Sequence, residues 1–244
     1  MDPPTSNDVD QCHTEWACLV SQDYCLSDDA FRAEALAFAM QLMARFKIRV
    51  FQIAERLQSE GYRFAIPENV LVEPESSVSD WINEFRQRKL YVPIALEAWL
   101  RVIGGVNFMG THPDWPRPAY AFDDDRNQEY PIYADPLVVE MPEEYAVVLY
   151  DEWIDRCQAD EEPGPYLLEI APDHIHKANI SGGMPYRLST DRPAIDRMLL
   201  NERHATSFVG YLRAAVRWHG FPGFDYMRNE IPKGWETADF SFPY

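Results

Sequence analysis

The stretch that most constrains this chain is Tyr91 to Gly110, YVPIALEAWLRVIGGVNFMG, because both of its ends are marked. Pro93 suits the first turn of a helix, where the amide proton it lacks has no partner to lose. Leu96, Trp99, Leu100 and Ile103 then recur at i, i+3, i+4 and i+7, laying large apolar side chains along one stripe that must face a core. Gly104 and Gly105 supply the positive φ that stops a helix, and Val106 to Met109 has the apolar, partly β-branched character of a strand. The unit predicts a buried helix handed through a glycine pair into a sheet.

Upstream, Ser27 is read as an N-cap with Asp28 and Asp29 in the first turn, where negative charge meets the positive end of the helix dipole. Phe31, Ala35, Phe38, Leu42, Phe46, Val50, Ile53 and Leu57 follow every three or four residues up to Gly61. They predict one long amphipathic helix, or two joined near Phe46. Arg32, Glu34, Arg45, Lys47 and Arg49 exclude a membrane span there. Pro67 and Pro74 make Ile66 to Glu75 an extended connection with a short strand at Val70 to Val72. Ser79 and Asp80 open a second helix that packs through Trp81, Ile82 and Phe85 and closes on Arg86, Arg88 and Lys89.

Downstream, Thr111 to Pro136 mixes five prolines with Trp115, Tyr120, Phe122, Tyr130 and Tyr133 around the acidic run Asp123, Asp124 and Asp125. Prolines bar a helix or central strand and aromatics need burial, so an ordered loop laid over a sheet is expected. The acidic run lacks the D-x-D-x-D-G spacing of a calcium loop and reads as a solvated turn. Leu137 to Val139 and Tyr166 to Ala171 read as strands, whereas Glu143 to Gln158 carries both strand and helix signals. In PDHIHKANISGGMPYRL, Gly182 and Gly183 punctuate two candidate strands, Lys177 to Ile180 and Tyr186 to Ser189, as an antiparallel hairpin requires. Thr206 begins a last helix with Phe208, Tyr211, Leu212 and Ala215 on its stripe and Gly220 as its stop. Strands in a central run with helices on either side give an α+β fold: a central antiparallel sheet with helices packed on it and an N-terminal helical extension. Residues 1–26 form a partly disordered leader, 27–236 a single domain and 237–244 a tail.

The charge balance, 22 Lys plus Arg against 40 Asp plus Glu for a net −18, makes phosphate backbones and anionic membrane surfaces poor partners, and acidity also serves solubility alone. A basic protein is the natural complement. Cys12, Cys18, Cys25 and Cys157 lack the close pairing of a zinc site and read as free thiols of a reducing compartment. The N-terminus is acidic, without a basic region leading into an apolar run, and no stretch approaches the length of about 18 apolar residues that a membrane helix needs. A cytoplasmic protein without a cofactor is expected.

The sharpest chemical candidates are Asp173, His174, His176 and Lys177. On a strand, His174 and His176 would share a face, and with Asp173 they would form an alternative metal site for a hydrolase; hydrogen bonding in a sheet-edge turn is the plainer reading. Ser181 sits in no nucleophile elbow, and there is neither a phosphate-binding GxxxxGK[ST] nor a GxGxxG. Aromatic and acidic residues on loops are binding residues more readily than catalytic ones. The partner-binding candidates are Trp115, Tyr120, Asp123, Asp124, Asp125, Asp173, His174, His176, Lys177 and Tyr186.

Residues Ser79 to Met109, an amphipathic helix entering a glycine pair and a strand, resemble the core signature of the SMI1/KNR4-type, or SUKH, superfamily. The segment SFVGYLR at 207 to 213 is similar to the family's closing helix, and HKANISGGMPY and HGFPG resemble stretches of a bacterial branch of SMI1/KNR4-like proteins. The resemblance covers roughly residues 79–225. It implies a non-enzymatic role as an immunity-type protein that binds and neutralises a basic, often nuclease, toxin delivered between competing bacteria; a regulatory scaffold is the family's other role. The long helix before Ser79 and the proline-rich Thr111 to Pro136 segment depart from the signature.

Overall fold

A computed structural model describes residues 14–115, 119–123, 128–141, 144–159, 164–227 and 231–237. Its spine is helix α2, Asp29–Ser59, preceded by helix α1 at residues 14–20. No proline or glycine interrupts α2, so it runs unbroken through Phe46. The cap is Asp28, not Ser27: its carboxylate accepts from the Ala30 and Phe31 amides at 2.8 and 3.1 Å. Residues 14–26 belong to the fold, with Trp16 and Leu26 buried and the Asp23 carboxylate accepting from the Ile195 amide at 2.7 Å.

α2 lies along α4, Ile94–Val102, the helix of the glycine-stopped unit. Ala35 and Ala39 are buried on the α2 face, and α4 is enclosed from Ile94 to Leu100, as its apolar composition requires. The one charge enclosed with it, Glu97, is held by Arg32 of α2 and by Arg101 one turn on, whose Nη2 lies 2.8 Å from Oε1. A buried carboxylate is tolerated because both of its oxygens are engaged by guanidinium groups. Helix α3, Val78–Gln87, starts one residue before Ser79, and Ile82 and Phe85 carry it onto the core.

Short strands β1 to β4, Arg63–Phe64, Leu71–Val72, Gly105–Asn107 and Gly110–Thr111, form two antiparallel pairings, β1 with β4 and β2 with β3. Of the glycine pair, only Gly104 stops the helix by positive φ, at +89°; Gly105 is the first residue of β3, opposite Val72. The segment expected as a loop contains a hairpin, β5 Ala119–Asp123 with β6 Gln128–Ile132. A two-stranded ribbon needs only one ladder, so Pro131 fits it. β7, Val138–Val139, pairs with β3, and the Glu140 amide donates to the Ile170 carbonyl at 2.8 Å, joining this sheet to the next. There β8, Leu167–Ala171, pairs antiparallel with β9, Tyr186–Ser189. The fold is α+β, its antiparallel strands spread over small sheets.

Helix α5, Glu144–Gln158, resolves the ambiguous segment as helix. Helix α6, Phe208–Arg217, is capped by Ser207, not Thr206: the hydroxyl accepts from the Gly210 amide at 3.2 Å and donates to Asp196 at 2.7 Å. A last short helix, α7, covers Phe224–Met227. Segment 231–237 then returns to the end of α2, where Trp235 is buried, donates to Glu60 Oε2 at 2.8 Å and lies under the Arg56 guanidinium. No helix among the described residues is long and apolar enough to cross a membrane. Cys18, Cys25 and Cys157 are free, and Cys12 lies outside the described residues.

Candidate functional site

The chain after β8 does not form the expected strand over Lys177 to Ile180, and β9 pairs with β8 instead of with that segment. Asp173 is the reason. Its Oδ1 accepts from the amides of Ile175 and His176 at 2.8 and 3.3 Å, an aspartate turn that curls the backbone into a 3-10 helix at His176–Ala178. Asn179 ends it in a left-handed conformation, φ 60°. The turn destroys the period that would have put His174 and His176 on one strand face. His174 packs its ring against Tyr133, 6.1 Å between centroids, while His176 is about half exposed and hydrogen-bonds Asp173 through Nδ1. Among the described residues no group of three or more His, Cys, Asp or Glu side chains is placed to hold a metal ion.

The same turn drives Lys177 inward. Its side chain is 0% exposed; Nζ donates to Asp135 Oδ1 at 2.7 Å and to the Tyr211 hydroxyl at 3.0 Å, and lies 4.4 Å from the Tyr186 ring centroid. The Tyr186 hydroxyl donates to the other oxygen, Oδ2 of Asp135, at 2.9 Å. Burial pushes the Lys177 amine below its ordinary range, opposed by the facing Asp135 carboxylate. Burial and then Asp135 push the Tyr186 hydroxyl up, and Tyr211 rises for the same reasons. Lysine, aspartate and two tyrosines thus close a buried polar network drawn from a loop, a 3-10 turn, a strand and a helix. Asp135 takes a left-handed φ of 51°, which aspartate adopts more readily than most residues with a side chain.

Gly183 and Gly182 are not hairpin punctuation. Both have positive φ, and a Cβ on Gly183 would lie 2.4 Å from Asp173 Oδ1, so the 180–185 loop closes directly over that carboxylate. On the other side, Glu202 is buried, its Oε1 accepting from the His204 amide at 2.9 Å, and His204 Nε2 lies 3.6 Å from Asp225. Burial lowers the His204 pKa but Glu202 and Asp225 outweigh it, leaving it raised; burial lowers His174, with Arg203 adding to the effect, and burial and Arg56 lower His219. Burial alone would raise Asp173, yet the His176 side chain and the two backbone amides hold it below the usual carboxylate range.

These opposite shifts have opposite signs in stability. The contribution of neutral His174 and His219 is full above about pH 6.5 and is lost as the pH falls from there towards their lowered folded values. That of protonated His204 is full below about pH 6.5 and is lost as the pH rises through its raised value. The fall in thermal midpoint between neutral pH and pH of about 5.5 is therefore expected to be shallower in His174→Gln and steeper in His204→Gln than in the parent. Calorimetry across that range measures it, and identical slopes in all three proteins would refute the assignment.

Next to the network lies a cavity of about 600 Å³, reached by Asp135 and Lys177 and walled by Tyr62, Trp115, Phe221 and Phe224. Trp115 is the hub of that wall, edge-on to Phe221, Phe224 and Trp235 at 5.0, 5.7 and 4.9 Å. Of the residues expected to bind a partner, Asp173, Lys177 and Tyr186 are buried, while His176 is exposed and Trp115 is half-buried. Tyr120 and Asp123 lie on the backbone of β5; their side chains, and Asp124 and Asp125 entirely, lie outside the described residues. Sequence reasoning missed Asp135 and Tyr211. A tyrosine on an otherwise apolar helix stripe needs a partner for its hydroxyl, and that signal lies in the sequence at Tyr211.

A second feature is apolar and outward. Met198 and Leu200, on one side of an extended segment that bridges to Arg187 of β9, are 51% and 37% exposed, and Met184 is 53% exposed. The Asn201 carboxamide donates to the Pro185 carbonyl at 2.8 Å, which holds the Met184 loop beside this segment. No family model, curated protein or solved structure matches the chain.

Proposed function

We propose that this protein is a non-catalytic binding module that captures a basic protein domain, an immunity-type inhibitor of a nuclease-like toxin. The observation that carries the reading is the exposed Met184, Met198 and Leu200 surface on a chain of net charge −18. Flexible thioethers adapt to a partner's relief and supply the apolar centre of an interface, and the acidity of the chain as a whole accelerates encounter with a basic surface. Lys177 favours the same reading: its ammonium is engaged by Asp135, Tyr211 and the Tyr186 ring, the arrangement of a structural ion pair and not of a reagent. The resemblance to SMI1/KNR4-type proteins is what points from a basic partner to a toxin.

A scaffold role resting on self-association through α2 is disfavoured, because α4 and α6 already cover the apolar face of that helix. The test is affinity for purified basic nuclease domains, beginning with any product of a neighbouring gene, as a function of salt. Binding is expected to weaken at least tenfold between low and physiological salt, and a further tenfold or more in Met184→Asp/Met198→Asp, with unchanged circular dichroism. Affinity indifferent to both would sink the reading.

A further inference from the structure

The cavity beside the buried network carries a second kind of binding. Its volume, about 600 Å³, falls within the range of pockets that hold cofactor-sized molecules. Its aromatic wall is rigid before any ligand arrives, because Trp115 is already packed against Tyr62, Phe221 and Phe224 with ring centroids 5.3, 5.0 and 5.7 Å away. Met109 and Met227 add polarizable thioethers to the lining. The charged side chains among the described lining residues that could meet a ligand's charge are Asp135 and Lys177, and these neutralise each other at 2.7 Å; His112 is engaged by the Glu60 carbonyl and the Asp114 amide.

Three lining groups have hydrogen-bonding capacity to spare. The Thr111 and Tyr133 hydroxyls and the Asn179 carboxamide make no side-chain hydrogen bond to another described residue. Asn179 is fixed in a left-handed conformation by the turn that Asp173 sets, so its carboxamide is presented from a rigid backbone. An aromatic wall, polar groups without a described side-chain partner and, among the described lining residues, no uncompensated charge select for a ligand that is aromatic, polar at its edge and uncharged. The net charge of −18 acts against an anion.

We propose that this cavity binds an uncharged aromatic or heteroaromatic small molecule, packed against the aromatic wall around Trp115, on which His112 is already stacked at 5.2 Å, and hydrogen-bonded by Tyr133 and Asn179. The site is independent of the methionine surface and stands or falls without it. Fluorinated indole serves as the probe, titrated against the full chain and followed by fluorine NMR, with fluorinated indoleacetate as its anionic counterpart. Line broadening is expected for indole, with the anion about tenfold weaker. Asn179→Gly, which keeps the left-handed backbone, is expected to weaken indole about threefold, and Ala178→Trp, which fills the cavity, to abolish the broadening. If Ala178→Trp does not fold, Tyr133→Phe replaces it, with an expected loss of about threefold. No broadening by indole, broadening unchanged in every folded variant, or equal binding of the anion would each overturn the proposal.

Discussion

Replacing Lys177 by Met is expected to remove about 3 to 5 kcal/mol of folding stability, the cost of leaving a buried carboxylate without its cation. Asp135 is 3% exposed and accepts from Lys177 and Tyr186 on separate oxygens, at 2.7 and 2.9 Å. Without the ammonium, Oδ1 of this buried carboxylate has lost its charge partner. Asp135→Asn/Lys177→Met is expected to regain at least half of the loss, because asparagine tolerates the left-handed φ of that position, still accepts from Tyr186 and carries no charge. Denaturant unfolding of the three proteins measures it. A single variant within about 1 kcal/mol of the parent, or a double variant no better than the single, would show that the ion pair does not hold this region together.

Gly104→Ala is expected to cost more than about 3 kcal/mol, and Gly105→Ala only about 1 to 2 kcal/mol, although the two glycines are adjacent. At Gly104 the backbone has φ +89° and a Cβ would fall 2.1 Å from the Val72 carbonyl oxygen and 2.8 Å from the carbonyl carbon of Glu73. Those atoms are backbone of β2 and of the residue after it, so relief requires breaking the pairing of β2 with β3 and losing the helix-to-sheet junction. At Gly105 the φ is not positive, and the nearest atom to a Cβ is the Val72 Cβ at 3.2 Å, which needs only a small shift. Equal costs at the two positions would mean that the close approach at Gly104 does not constrain the junction. The measurement is a pair of denaturant curves.

Helix α4 and its stop were legible because everything that makes them is local: an apolar stripe at helical spacing, a proline before it and a glycine after it. α2 was legible for the same reason. Its cap moved by one residue because an aspartate side chain competes for the same amides as a serine. The segment after β8 was misread as strand although the signal lay in it. Asp173 followed by two residues with free amides is a turn-former, and that local bond outranks the apparent alternation of His174 and His176. In the proline-rich segment, propensity argues for a loop because proline is excluded from central strands, whereas a two-stranded ribbon accepts it.

Residue order alone settled the α+β class and the glycine pair through which a buried helix is handed to a strand. The tertiary structure alone decided what Lys177 does, because Asp135, Tyr211 and Lys177 lie 42 and 34 positions apart and share no period. It also decided which apolar side chains stay outside: Met184, Met198 and Leu200 are indistinguishable in composition from core residues until the sheet has formed and left them uncovered. The physical reason is common to both. Hydrogen-bond spacing and backbone sterics act between neighbours in the chain, while desolvation of a charge or an apolar surface depends on everything that folds against it.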